Sequence, residues 1–229
     1  MRTEPEKPAP LNMDAGSHLM KFSDPESGYT MKYMLYIPKD ATVDMPLIVF
    51  LHGIGEIGSV DMIRDNPVIS NAHEVFGEDF PFILLVPSAN ASSWLKGKIP
   101  ITLTGMIQKT VDECRIDTNK ISITGHSMGA AGMYELIKQN EDYFCSAVII
   151  SPPNPKAFEA EIFVDLPMKA YSAAEESQCN YVLNKLVSNI NEIGGNAQHI
   201  PLENYVHAET SFGAFSEELY EWILSQSLR

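Results

Sequence analysis

The chain has 229 residues, 45% of them hydrophobic and 20% charged, with 16 basic against 30 acidic side chains and a formal net charge of −14. This composition is globular and excludes collagen, coiled coil and disorder, and the length suits one domain with a real core. No apolar run approaches the ~20 residues of a membrane span, and the acidic balance disfavours nucleic-acid backbones and anionic membrane surfaces as partners. The cysteines, Cys114, Cys145 and Cys179, show no CxxC and no metal-ligand spacing, so neither a disulfide framework nor a metal site is expected. Their odd number leans toward a reducing, cytoplasmic compartment. A secreted mature form whose signal was removed upstream is the alternative.

Residues 1–20 are expected to be a flexible leader. The first ten positions hold four charges and three prolines, no apolar stretch of a signal peptide is present, and Gly16-Ser17-His18 resembles a scar of tag cleavage. Residues 21–229 are expected to form a single domain. From Tyr29 the chain alternates: Tyr29, Met31, Tyr33, Leu35 and Ile37 share one face, the period of a strand. The continuous apolar runs at 46–51, 82–86, 121–124 and 147–150 read as strands buried on both faces. Helical spacing predicts helices over 99–114, 128–139, 182–193 and 215–226, the third stopped by Gly194-Gly195. Residues 166–172 and 197–202 read as further strands. Buried strands alternating with amphipathic helices imply an α/β fold, a mostly parallel sheet with helices on both faces.

One pentapeptide carries chemistry: Gly125-His126-Ser127-Met128-Gly129, after the strand at 121–124 and opening the helix at 128–139. A bare GxSxG arises by chance in roughly one chain in ten of this length, so the flanking strand and helix decide. A serine on a tight strand-to-helix turn has its hydroxyl lifted off the sheet, near the positive end of the helix, and glycines keep the turn uncrowded. The alternative is a plain βα turn in which Ser127 only caps the helix. A serine needs a base. In a fold of this kind the partners follow in the order serine, acid, histidine, which leaves His199 and His207. His199 lies in a strand-like stretch and His207 in the loop before the last helix, so His207 is favoured. Glu175 and Glu176, in the exit loop of the strand at 166–172, are the candidate acids, and spacing barely separates them. The Met128 N–H, beside the nucleophile, and the Ile54 N–H, in the glycine-rich run His52-Gly53-Ile54-Gly55, are candidate oxyanion donors.

These features resemble the α/β-hydrolase superfamily, and more narrowly its compact bacterial serine esterases, similar to polyhydroxybutyrate depolymerases, feruloyl esterases and prolyl-oligopeptidase-type hydrolases. The resemblance runs in order from about Gly28 to the C-terminus. It rests on Leu51 to Gly58, Val86-Pro87-Ser88 and Trp94, Arg115 to Ile121, Thr124 to Gly129, Pro167 to Glu176, and His207 to Trp222. The family's acid loop reads Phe-His-Gly-x-x-Asp; here Tyr171 to Glu176 stand in its place, so Glu176 takes the aspartate position, with Ser172 and Ala173 replacing His-Gly. The resemblance implies carboxylic-ester hydrolysis through an acyl-enzyme, with no metal and no organic cofactor.

The interval from Ser151 to Asp165 holds about fifteen residues with three prolines, too few for a helical lid or sizeable cap. An open cleft favours a small-molecule ester with a short acyl chain, or an ester carried on carbohydrate. Trp94 could stack on a sugar or aromatic acyl group, with a core role the alternative, and His126 is a further candidate substrate contact. A serine peptidase, an acyltransferase, or a non-catalytic binding protein on the same fold are the other readings.

Overall fold

The computed structural model describes residues 8–228. In chain order the elements are β1 (Gly16–Ser23), β2 (Thr30–Ile37), β3 (Leu47–Leu51), α1 (Val60–Arg64), α2 (Pro67–Phe76), β4 (Ile83–Ser88), α3 (Ile99–Cys114), β5 (Ile121–His126), α4 (Met128–Gln139), β6 (Ser146–Ile150), β7 (Met168–Ala173), α5 (Ser177–Glu192), β8 (Ala197–Leu202), α6 (Thr210–Ala214) and α7 (Glu217–Leu224). The eight strands form one sheet in the order β1-β2-β4-β3-β5-β6-β7-β8. β1 and β2 run antiparallel to their neighbours at one edge, and every pair from β4 to β8 is parallel.

The apolar runs are buried on both faces because helices cover both. Along β3, Leu47, Val49 and Leu51 pack on one side with Leu103 and Ile107 of α3, Met133 and Leu136 of α4, and Leu183 and Ile190 of α5. Ile48 and Phe50 pack on the other, with Val68 and Ile69 of α2 and with Leu219, Tyr220 and Ile223 of α7. This is the mostly parallel α/β sheet with helices on both faces expected from the alternation of strands and helices, arranged as the resemblance to α/β-hydrolases implies. No helical cap stands over the sheet among the described residues: the segment after β6 contains only two short 3-10 turns, Pro155–Ala157 and Ala160–Phe163.

Four expectations need correction. The leader expected over 1–20 is not wholly a leader. Gly16, Ser17 and His18, the residues resembling a tag scar, pair with Ile37, Tyr36 and Leu35 as the start of β1, and Pro10 bridges Thr42. β1 has a weak sequence signal because it is an edge strand whose inward residues, His18, Met20 and Phe22, are only half-buried, so its polar side dominates its composition. Helix α2 stands where no helix is expected, although its punctuation is present: Asn66 caps it by accepting from the N–H groups of Val68 and Ile69, Pro67 opens it, and Gly77 closes it. The last helix, expected over 215–226, starts at Glu217, where Ser216 caps it by accepting from the Leu219 N–H, and a separate short helix, α6, precedes it. α5 begins at Ser177 rather than 182, so Glu176 directly precedes a helix.

Candidate active site

The parallel strands deliver their C-terminal ends to one edge of the sheet, where α/β proteins build sites. Ser127 stands between β5 and α4 with φ 51° and ψ −116°, a left-handed backbone that a non-glycine residue adopts only under strain. The neighbouring glycines make the turn geometrically possible. A Cβ at Gly129 would lie 1.8 Å from the Leu51 carbonyl oxygen, and one at Gly125 would lie 2.4 Å from the Gly129 carbonyl oxygen. The N-terminus of α4 therefore presses directly on the end of β3. The Ser127 N–H donates to the Ile150 carbonyl at the end of β6 (2.8 Å), which anchors the turn.

His207 reaches Ser127 from the short 3-10 turn His207–Glu209 after β8. Its Nε2 lies 2.9 Å from Ser127 Oγ, and its Nδ1 lies 2.7 Å from Glu176 Oε1. The carboxylate accepts the Nδ1 proton, so Nε2 presents a lone pair to the serine hydroxyl. Glu176 Oε2 accepts from Ser151 Oγ (2.7 Å) and from the Ala173 N–H (2.9 Å). Burial alone would push the Glu176 carboxyl up, but the hydrogen bonds from Ser151, His207 and Ala173 outweigh it and hold the group below the usual carboxylate range. Glu175 points to solvent and takes no part in this chain. His199 faces the other way on β8, with Nε2 2.7 Å from Ser172 Oγ and Nδ1 2.8 Å from Asn184 Oδ1. Burial pushes it down to about 4, so it is neutral.

The two candidate oxyanion donors occupy comparable local positions. Met128 is the first residue of α4 and Ile54 the first of the 3-10 turn Ile54–Glu56, and the first N–H groups of a helix have no partner within it. The turn is shaped by two groups. His52, fully buried, donates from Nδ1 to the Gly53 carbonyl (2.7 Å) and accepts the Ala89 N–H at Nε2 (3.0 Å). Burial holds it down at about 4 and therefore neutral. Glu56 accepts the Gly53 N–H at 2.8 Å. Its burial outweighs that bond and pushes the carboxyl up to about 7.

Ile54, Pro67, Ser127, His207, Ala208 and Phe212 line a cavity of about 540 Å³, whose wall also carries Glu56, Asp61 and Asp65. A second cleft of about 400 Å³ lies on the far side of His207, against Pro152, Asn154, Glu176 and Gln178. His126 lines the first cavity, but its Nε2 donates to the His207 carbonyl at 2.9 Å. It holds the base's main chain, and burial keeps it neutral at about 4. Trp94 is a correction. It is 2% exposed, its indole N–H donates to the His52 carbonyl (3.0 Å), and its ring packs edge-on against His52. It is core and is closed to a ligand.

Two polar residues in this region carry no sequence signal of their own. Ser151 follows the β6 run directly, and Thr210 lies three positions after His207. The end of a buried parallel strand was the one available clue to Ser151. Among the described residues no group of three or more His, Cys, Asp or Glu is placed to hold a metal ion, and no helix is long and apolar enough to cross a membrane.

No protein-family model matches the sequence. A search of curated proteins finds no match either. Solved structures do match. A thermostable esterase superposes with a TM-score of 0.77 at 27% identity over 92% of this chain, which spans 63% of that esterase's length. A ferulic acid esterase gives a TM-score of 0.69 at 15% identity, covering 92% of this chain and 99% of the other. A poly(3-hydroxybutyrate) depolymerase from Bordetella parapertussis gives 0.64 at 13% identity, covering 84% and 85%. Together with the strand order and the helices on both faces, these likenesses identify the chain as an α/β-hydrolase-fold protein.

Proposed function

We propose that the protein is a serine carboxylesterase. One observation carries the reading: Ser127 Oγ, His207 and Glu176 form an unbroken hydrogen-bonded chain with spacings of 2.9 Å and 2.7 Å. In the proposed reaction Ser127 attacks the ester carbonyl as His207 Nε2 takes its proton. The N–H groups of Met128 and Ile54 hold the oxyanion, and Glu176 stabilises the imidazolium. His207 then protonates the leaving alcohol, and in the second half it takes a proton from the water that releases the acyl group. No metal or organic cofactor enters this scheme. The His207 side chain is 47% exposed, so water reaches the acyl-enzyme, which favours hydrolysis over transfer to another alcohol.

The proposed substrate is a small-molecule or carbohydrate-linked ester with a short acyl chain. The apolar wall of Ile54, Pro67, Ala208 and Phe212 suits one arm of such an ester, and the cleft beyond His207 leaves the other arm uncovered. Long-chain triglyceride hydrolysed faster than short acyl esters would count against this. The test of the reaction itself is a fluorophosphonate label. Capture at Ser127 in folded protein, lost in Ser127→Ala and accompanied by turnover of nitrophenyl acyl esters, supports the esterase. Folded protein that neither captures the label nor turns over any ester overturns it.

A further inference from the structure

The end of β6 touches Ser127 and Glu176 directly and reaches His207 through Thr210. The Ile150 carbonyl accepts the Ser127 N–H. The next residue, Ser151, sends its hydroxyl to Glu176 Oε2 (2.7 Å) and lies 3.0 Å from Thr210 Oγ1. Thr210 in turn donates to the His207 carbonyl (2.9 Å). Ser151 has one hydroxyl proton and the carboxylate is the stronger acceptor, so that proton goes to Oε2. The 3.0 Å approach to Thr210 is a weaker branch of the same Ser151 proton, with Thr210 Oγ1 accepting, and the Thr210 proton goes to the His207 carbonyl. A closed ring results: the Glu176 carboxylate, the His207 imidazole, the His207 main chain, Thr210, Ser151 and back to Glu176. Ser151 and Thr210 are both fully buried, so water does not compete for these bonds.

Ser151 also has a φ of 42°. Glycine occupies that region freely, whereas a serine there is strained. Packing does not call for the side chain, since a hydroxymethyl group fills little volume. Its hydroxyl is what the strain retains.

We propose that Ser151 is the positioning residue of this site: its buried hydroxyl fixes the Glu176 carboxylate and, through Thr210, ties the main chain of His207 to the same point. The proposal rests on the reading of Ser127, His207 and Glu176 as the reacting chain. It implies that the base and the acid are held in register twice, once through the imidazole and once around it. Loss of the second tie leaves Glu176 Oε2 with the Ala173 N–H alone.

The test uses Ser151→Gly, Ser151→Ala, Thr210→Val and Thr210→Ser in the full chain. The control is Ser146→Ala, which breaks a buried serine–serine bond of 2.8 Å to Ser122 within the sheet. Three quantities are read: kcat and KM on a nitrophenyl ester, the rate of fluorophosphonate labelling, and the downfield proton resonance of His207 Nδ1–H. Ser151→Gly is expected to lower kcat and the labelling rate about tenfold or more, the scale of a lost hydrogen bond to a charged group, with KM within about twofold. Because glycine relaxes a φ of 42° while alanine keeps the strain, Ser151→Ala should melt below Ser151→Gly at the same loss of rate. Equal loss of rate at unequal stability is a signature that a packing role does not produce. Thr210→Val should lose rate and shift the resonance, Thr210→Ser should restore both, and Ser146→Ala should move only the melting temperature. Ser151→Gly with wild-type kcat and an unmoved resonance overturns the proposal. If Ser151→Gly does not fold, Ser151→Ala and the Thr210 pair decide by the same readings. If wild type hydrolyses no ester and takes no label, the esterase reading fails, and the Nδ1–H resonance alone still supports or overturns the positioning role.

Discussion

Replacing Glu176 by glutamine separates the two neighbouring carboxylates and measures what the acid contributes. In the proposed reaction the imidazole gains a positive charge whose nearest counter-charge is the Glu176 carboxylate, with Oε1 2.7 Å from His207 Nδ1. Unit charges about 4 Å apart are worth about 4 kcal/mol at the effective dielectric of a partly buried site, equivalent to about a thousandfold in rate. His207 is 47% and Glu176 19% exposed, so solvent screens part of this. Against that, glutamine presents a neutral oxygen or an N–H to Nδ1, and the N–H would favour the wrong tautomer. Glu176→Gln is therefore expected to lower kcat by about a hundred- to a thousandfold with little change in KM. Glu175→Gln, at an exposed position outside the chain, should stay within about twofold. The assay is steady-state turnover of a nitrophenyl ester, with far-UV circular dichroism to show that both variants fold. If Glu176→Gln keeps more than a tenth of wild-type kcat, or if Glu175→Gln is the variant that collapses, the assignment of the acid is wrong.

Three further outcomes follow from the structure. Gly129→Ala puts a methyl group 1.8 Å from the Leu51 carbonyl oxygen, contact with backbone that cannot rotate away, so urea unfolding should show a loss of more than about 3 kcal/mol or no folded protein at all; wild-type stability would refute the close approach. Asp65, together with Asp61 (whose charge Arg64 offsets in part at 3.2 Å), stands on the cavity wall and should make a carboxylate-bearing nitrophenyl ester a poorer substrate than its neutral isostere by about threefold in kcat/KM at low salt, with the gap shrinking at 0.5 M salt as screening sets in; equal rates at low salt would refute it. Stability should fall between pH 6.5 and pH 4, because His52, His126 and His199 are held down to about 4 from 6.5 in the folded state and each takes up a proton on unfolding, while Glu56, held up at about 7 from 4.5, gives one back. His199 is partly exposed and counts for less, so a net uptake of between one and two protons means about 2 kcal/mol lost per pH unit in that window, readable from urea midpoints; stability that rises toward pH 4 would refute the sign.

The parts of this protein legible in its sequence are those in which a local pattern and a tertiary role coincide. Ser127 is one case: the strand run of β5 and the helical spacing of α4 frame it, and the glycines around it are demanded by contacts with β3 and with α4's own start. His207 was reachable by order and by its loop setting. The acid was not separable by spacing, because Glu175 and Glu176 are adjacent and only the backbone turn before α5 decides which one faces inward. β1 was hidden by a half-polar edge, and α2 by its shortness, despite its Asn66 cap. Trp94 shows the opposite failure: an aromatic residue in a loop suggested a ligand platform, but its indole satisfies the His52 carbonyl inside the core. Ser151 and Thr210 are isolated polar residues in the chain, and only the crossing of β6 with the His207 loop brings them together.

That contact also accounts for one departure from the acid loop that the sequence resembles, the glutamate at 176. A glutamate where an aspartate is usual has an additional rotatable bond, and hence an additional freedom to lose on fixing the carboxylate. An unrestrained longer arm would spend part of its time away from Nδ1. Here the arm is pinned at Oε2 by Ser151 and Ala173, leaving Oε1 facing the imidazole. The strained serine at the end of β6 and the longer acid at the start of α5 thus form a matched pair. Glu176→Asp should then not improve the site: the shorter arm cannot reach the Ser151 hydroxyl and His207 Nδ1 together, so its kcat should fall by about tenfold, the scale of one lost hydrogen bond to a charged group. If Glu176→Asp in the Ser151→Gly background recovers the lost rate, the two residues are coupled as a length and its anchor. If the two losses simply multiply, they act separately.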